Sequence, residues 1–310
     1  MRVLVTGGTG FIGWHAVREM LAAGHEIILV TRHGFSGLSD PKLHILKGDL
    51  LETGDDLLSR VREAGADVLL MLAWETRHGK FWTASSNAAW CARSIQLAQA
   101  FLEGGGRRIV SAGTCVEYDA PATGPCVPDS TPLRALHPYS ISKDSLRRML
   151  EWMTAAYGAS LAWGRIFLAY GPGEFSARLV PSVVNALLDG TQAKCSSGRQ
   201  VRDFLHAEDY GRAFALLVAS DVQGAVNVCS GKPATIGNVV EEIAAIIGRP
   251  HLIALGALPD REGEPANLWG DMARLARETG FTPKYSLPAG LKNTVEWWIE
   301  TRRRGGQSTE

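Results

Sequence analysis

The sequence has no excess of either charge. Lys+Arg 32 balance Asp+Glu 32 over 310 residues, for a formal net charge of zero. No whole-protein field therefore draws in nucleic acid or an anionic membrane, and an anionic ligand has to be met by local groups. Cysteine pairing is missing as well. Cys91, Cys115, Cys126, Cys195 and Cys229 are odd in number and scattered, no C-x-x-C occurs, and no histidine stands at metal-ligand spacing. That pattern excludes a zinc site or a disulfide framework and leaves reduced thiols. No apolar run approaches membrane-spanning length, and "MRVLVTGGTG" has too few apolar positions after its charged residue for a secretory signal. The expectation is a soluble, cytoplasmic protein with no metal, nucleic-acid or membrane partner. Internal repeats are absent too.

What is present is an alternation. The runs "RVLVT", "EIILVT", "LHILKG", "DVLLML" and "RRIVSA" are interleaved with helical patterns over 11–23, 55–63 and 85–103. Strands that are apolar at consecutive positions are covered on both faces, which predicts a parallel sheet between helix layers, a doubly wound Rossmann-type α/β fold. After a sixth run, "SLAWGRIFL", the rhythm loosens. Helical patterns near 177–188, 207–219, 236–247, 272–279 and 288–303, punctuated by Gly and Pro, predict a smaller mixed α/β C-terminal lobe for substrate. Thr235, Gly248 and Gly280 stand where helix caps belong. The expected division is 1–167 plus about 204–228 for one lobe and 168–203 plus about 229–303 for the other, with 304–310 a flexible tail.

"VLVTGGTGFIGWH" puts Gly7, Gly10 and Gly13 at a strand-to-helix turn. Glycine permits the tight turn and the approach of backbone N–H groups to a pyrophosphate at the helix start, and Gly13 permits close helix packing. Its place directly after a strand and before a helix favours dinucleotide binding over a plain turn, with Phe11 and Ile12 inside the same turn. The second strand ends in "VTRHG", where Thr31, Arg32 and His33 offer no acid to a ribose. A guanidinium there suits a 2′-phosphate, so NADP(H) is preferred and NAD(H) remains possible. Asp49, with Leu50, is positioned for the adenine edge, and Leu72 and Ala73, at the end of the fourth strand run, are expected among the cofactor-binding residues.

"HPYSISK" sets Tyr139 and Lys143 at i and i+4 near a helix start, so that one face carries a phenol and an ammonium. A free phenol, with a pKa of roughly 10, is a poor acid–base catalyst at neutral pH. A nearby ammonium and an oxidised nicotinamide favour the phenolate and bring it toward a working range. Alone, such a pair is common by chance.

It is not alone. With the glycine turn, Thr114 ahead of "EYD", "YGPGE" and "VRDFLHAED" in order, the chain resembles the extended short-chain dehydrogenase/reductase family over nearly its whole length. The resemblance implies that Thr114 hydrogen-bonds the reacting oxygen, Tyr139 is the acid/base, and Lys143 is its partner and also holds the nicotinamide ribose. It also implies that Asn87 is a structural residue beneath the site and that the protein is a homodimer through helices 85–103 and 139–157. The family's sugar-nucleotide dehydratases carry Asp-Glu directly after the threonine. Here Cys115 and Val116 stand there, which argues against dehydration. Val116 also stands where the family's epimerase-reductases carry cysteine. Cys115 has nothing adjacent to stabilise a thiolate.

On the substrate side the resemblance implies a diphosphate clamp from Arg202 and Arg261, and Arg178 is grouped with them. Arg165 reads as an internal hydrogen-bonding residue. Leu168 replaces the asparagine that many relatives carry near the substrate. The aromatic insert "AWETRHGKFW", with Trp74, Phe81 and Trp82, suits the C–H surface of a deoxygenated ligand. The expectation is an NADPH-dependent ketoreductase of a nucleotide-linked 4-keto-6-deoxyhexose. A 4-epimerase with retained NAD⁺ is the alternative within enzymes, and a non-catalytic dinucleotide sensor the alternative outside them.

Overall fold

The computed structural model describes residues 1–33, 37–52, 55–77 and 79–306. Gly34 of "VTRHG", His78 of the aromatic insert and residues 307–310 of the expected tail lie outside the described residues.

The strands are β1 (Arg2–Thr6), β2 (Glu26–Thr31), β3 (Leu43–Lys47), β4 (Val68–Met71), β5 (Arg108–Thr114), β6 (Ser160–Ile166), β7 (Leu168–Tyr170), β8 (Ala193–Lys194), β9 (Val201–His206), β10 (Gly224–Val228), β11 (Pro233–Thr235), β12 (Ile253–Ala254) and β13 (Asn267–Leu268). The helices are α1 (Gly13–Ala22), α2 (Asp55–Glu63), α3 (Ser86–Glu103), α4 (Pro138–Ala156), α5 (Leu179–Leu188), α6 (Ala207–Ala219), α7 (Ile236–Ile247), α8 (Ala273–Thr279) and α9 (Leu287–Gly306).

Seven strands form one parallel sheet in the order β10-β6-β5-β4-β1-β2-β3, the doubly wound arrangement. The order reverses between β1 and β4, so a crevice opens at their carboxyl ends, where ligands bind in such sheets. Val3, Val5, Val17, Met20, Leu29 and Phe214 fill one face of the sheet, and Leu4, Leu69, Phe101, Ile109, Leu150 and Trp163 fill the other. β3 departs from the expectation of strands covered on both faces. It is the edge strand, and its Ile45 is exposed.

A second, four-stranded sheet centres on β9, which pairs with β7 and β13 in parallel and with β11 antiparallel; β8 and β12 form a separate pair. α5, α7 and α9 pack a third core around Val184, Val240 and Leu291. The caps behave as their chemistry requires. Thr235 Oγ1 accepts the Asn238 N–H at 3.0 Å, and Gly248 and Gly280 close α7 and α8 at φ 78° and 70°. α9 continues through Gly306, three residues past its expected end and into the expected tail. Among the described residues no helix is long and apolar enough to cross a membrane.

Candidate active site

Because β1 to β5 all run the same way, their carboxyl ends bring the glycine turn, Thr31 and Arg32, Asp49 and Leu50, Leu72 to Trp74, and Thr114 to one edge of the sheet. In the glycine turn the Gly10 N–H donates to Gly7 O at 3.0 Å, and the Trp14 N–H donates to Gly10 O at 3.0 Å, which starts the helix. Gly7 has φ +75°, and a Cβ on it would lie 2.5 Å from Ala73 N. A Cβ on Gly13 would lie 2.1 Å from Gly7 O. Neither position has room for a side chain. No side chain caps α1, so the N–H groups of Phe11, Ile12 and Gly13 are left at its start as an anion cradle. This cradle fits the pyrophosphate of a dinucleotide.

At the next strand end, Thr31 Oγ1 donates to His33 O at 2.8 Å. The Arg32 side chain is 67% exposed and stands 3.8 Å from Asp49, so an acid from the following strand meets the guanidinium that "VTRHG" shows unaccompanied. Asp49 Oδ1 also accepts the Leu51 N–H at 2.9 Å. Leu50 is held from α3, where Arg93 Nε donates to Leu50 O at 3.0 Å and its Nη2 to Glu52 O. Nothing in the local pattern around Arg93 signals this tether across 43 residues.

Tyr139 sits at the first turn of α4, behind Pro138, and is 9% exposed. Its phenol faces Thr114, the last residue of β5, closely enough for the threonine side chain to act on it. Burial pushes the phenol well above its ordinary pKa; the Thr114 side chain and the Arg178 guanidinium act in the opposite direction. Three rings of the aromatic insert surround Tyr139 edge-on: Phe81 at 4.9 Å, Trp82 at 6.0 Å and Trp74 at 6.3 Å. Asn87 pins this segment. It is buried in α3, accepts the Trp74 indole N–H at 2.9 Å, and donates to Phe81 O at 2.7 Å and Ala84 O at 3.0 Å.

Lys143 follows one turn later, 4% exposed. Its ammonium donates to Ala112 O at 3.0 Å and lies 4.0 Å from the centre of the Trp74 ring. Burial lowers its pKa to about 7, with Glu117 opposing. The helical spacing alone suggests a lysine turned to the phenol; the contacts of the ammonium are with the β5 carbonyl and an indole face.

The turn after Thr114, Cys115–Glu117, carries an acid that is committed to the fold. Glu117 is fully buried. One oxygen accepts the Thr114 N–H at 2.8 Å, the other accepts Arg165 Nε at 2.7 Å, and Trp163 Nε1 lies 3.2 and 3.1 Å from the two. Arg165 also donates to Tyr118 OH at 3.0 Å and is internal. Glu117 thus fixes the threonine. Cys115 is packed with Tyr118, Cys126 and Phe167, and burial pushes its thiol far above the range of a reactive thiolate.

The three substrate-side arginines are not brought into one cluster by side-chain contact. Arg178 Nη2 donates to Thr76 O at 3.2 Å, joining the start of α5 to the aromatic insert. Arg202 is buried in β9, 2.7 Å from Glu264. Arg261 is exposed, and its carbonyl accepts the Glu264 N–H at 3.3 Å, so Glu264 links the turn carrying Arg261 to Arg202. Leu168 packs into the third core.

Comparison with known proteins agrees with this geometry. Residues 3–229 match the model of the NAD dependent epimerase/dehydratase family. A UDP-glucose 4-epimerase of Halalkalibacterium halodurans is 27% identical, over 100% of this chain and 98% of its own. A dTDP-6-deoxy-L-talose 4-dehydrogenase (NAD(+)) of Aggregatibacter actinomycetemcomitans is 28% identical, over 87% and 99%. The crystal structure of a dTDP-glucose 4,6-dehydratase from Streptomyces venezuelae, with NAD bound, superposes with TM-score 0.83 at 27% identity, covering 98% of each chain. With the switch-point crevice, the glycine cradle and the match over most of its length, this chain belongs to the NAD dependent epimerase/dehydratase family of enzymes.

Proposed function

We propose that the protein is an NADPH-dependent ketoreductase acting on a nucleotide-linked 4-keto-6-deoxyhexose. The observation that carries the reading is the juxtaposition of the buried Thr114 and Tyr139 side chains at the switch-point edge, beside a Glu117 whose oxygens are both committed to protein donors. A dehydratase needs a free acid/base pair there; a reductase needs one proton donor and one orienting hydroxyl.

When bound, the reduced nicotinamide supplies hydride to the carbonyl carbon. Thr114 holds the carbonyl oxygen, and Tyr139 O–H passes its proton to that oxygen, giving the alcohol. A phenol kept protonated by burial is suited to giving a proton, and Lys143, with a pKa of about 7, is suited to returning one at neutral pH. The glycine cradle of Gly7, Gly10, Phe11, Ile12 and Gly13 would hold the pyrophosphate, and Arg32 the 2′-phosphate. Because an exposed ion pair is worth only ~0–1 kcal/mol, exchanging Asp49 for a phosphate costs Arg32 little. Phe81, Trp82 and Trp74 would take the deoxygenated face of the sugar, and Arg178, Arg202 and Arg261 the diphosphate. A homodimer through α3 and α4 belongs to the same reading, supported by the exposed Ile141, Met149 and Trp152 on one side of α4.

A second reading, a nucleotide-sugar 4-epimerase, is favoured by the similarity to UDP-glucose 4-epimerases. Purified protein given NADPH and dTDP-4-keto-6-deoxyglucose distinguishes the two. A ketoreductase consumes one NADPH per alcohol formed. An epimerase consumes none, keeps its dinucleotide through purification, and interconverts the C4 epimers of a nucleotide-linked hexose such as UDP-glucose when that is supplied instead.

A further inference from the structure

The turn "YGPGE" after β7 contains a group that the reading above leaves unused. Gly173 at φ +80° turns the chain, and the Glu174 N–H donates to Gly171 O at 3.3 Å. The result is that Glu174 is carried inward, 5% exposed, while Phe175 and Ser176 stay on the surface. Glu174 Oε2 is sequestered from solvent and has no hydrogen-bond partner among the described residues. Burying a carboxyl without a partner is costly, and such a group retained inside a fold calls for one from outside the chain.

Its neighbourhood says where that partner comes from. Arg178, four residues on, is the guanidinium whose charge acts both on Glu174 and on the Tyr139 phenol, and it donates to Thr76 O in the insert whose rings enclose Tyr139. Glu174 therefore shares one cation with the phenol. The other candidate for a polar contact on this side, position 168, is a leucine absorbed by the third core.

We propose that Glu174 is the polar anchor for the sugar ring, its carboxyl donating a hydrogen bond to a ring hydroxyl or carbonyl oxygen and so compensating for the apolar Leu168. This rests on the nucleotide-sugar reading and adds to it a specificity-determining residue. Burial supports the uncharged form, raising the carboxyl to about 8, with Arg178 opposing. A protonated carboxyl can donate to a carbonyl or ring oxygen, which a carboxylate cannot.

The test is calorimetric titration of the full chain with dTDP-glucose and, separately, with dTDP. Expected for Glu174→Leu is a loss on the order of tenfold in affinity for dTDP-glucose, with dTDP affinity kept, since one hydrogen bond to the sugar is removed. Glu174→Gln keeps a donor and is expected to bind dTDP-glucose within about threefold of the parent. The parent's affinity for dTDP-glucose should fall between pH 7 and 9, and that fall should vanish in Glu174→Gln. Equal losses for dTDP and dTDP-glucose in Glu174→Leu would mean a structural role and overturn the proposal. So would unchanged dTDP-glucose binding, or, if the leucine variant fails to fold, the same pH profile for Glu174→Gln as for the parent. A parent chain that binds neither ligand would overturn the nucleotide-sugar reading and this anchor with it; a parent that binds dTDP-glucose tightly while the variants behave alike overturns the anchor only.

Discussion

Glu117 Oε2 lies 2.7 Å from Arg165 Nε, with both side chains shut away from solvent. The pair joins the end of β5 to β6, and through Tyr118 OH, which donates to Asn227 Oδ1 at 2.7 Å, to β10. Removing one member of a buried pair strands the other charge, at a cost of ~3–5 kcal/mol. Glu117→Gln should therefore lose stability of that order in urea denaturation. A general acid/base role for Glu117 would show instead as lost turnover at unchanged stability.

The Arg32 guanidinium is the group that the NADP(H) proposal assigns to the 2′-phosphate. Arg32→Ala should weaken NADPH by about tenfold or more, because charge-assisted hydrogen bonds to a phosphate are lost, and leave NADH nearly unchanged. Fluorescence titration with both dinucleotides measures the ratio. An equal change for the two would show that Arg32 only stacks on the adenine.

Much of this is legible in the sequence because the signals are local. The glycine turn is dictated by positive φ and by contacts a Cβ cannot tolerate, and Thr235, Gly248 and Gly280 bound α7 and close α8 by their own chemistry. The buried strands show as unbroken apolar runs. β3 misled because "LHILK" looks like its neighbours, and its edge position depends on sheet order, which no local pattern carries. The same holds in the site. Thr114, Tyr139 and Lys143 stand out by motif, but the partners that determine their behaviour are distant. Glu117 finds Arg165 across 48 residues, and Arg202 finds Glu264 only once the second sheet is formed. Glu174 is one letter in a loop motif until its burial is seen.

His15, on α1, is held down to about 4 by burial, with Arg18 acting in the same direction, and its Nδ1 has no partner among the described residues. Between pH 6.5 and about 4 the unfolded chain takes up a proton that folded His15 refuses. Its share of stability is intact above pH 6.5 and lost as the pH falls toward 4. In thermal denaturation over that range His15→Gln should show a shallower fall of Tm than the parent; an identical slope would assign the acid sensitivity elsewhere.

Trp152 is 67% exposed on α4, on the same side as Ile141 and Met149. Such a patch is the association surface that the proposed dimer calls for. Trp152→Glu should convert a sedimenting dimer into monomers, and a parent chain that sediments as a monomer would remove the dimer from the reading.

The most direct measurement follows NADPH oxidation with dTDP-4-keto-6-deoxyglucose in the parent and in Tyr139→Phe, alongside NADPH affinity. Loss of a positioned general acid should lower turnover by ~10²–10⁴-fold, with NADPH binding nearly intact. Turnover in Tyr139→Phe equal to the parent's would contradict the role of the buried phenol and the reaction built on it.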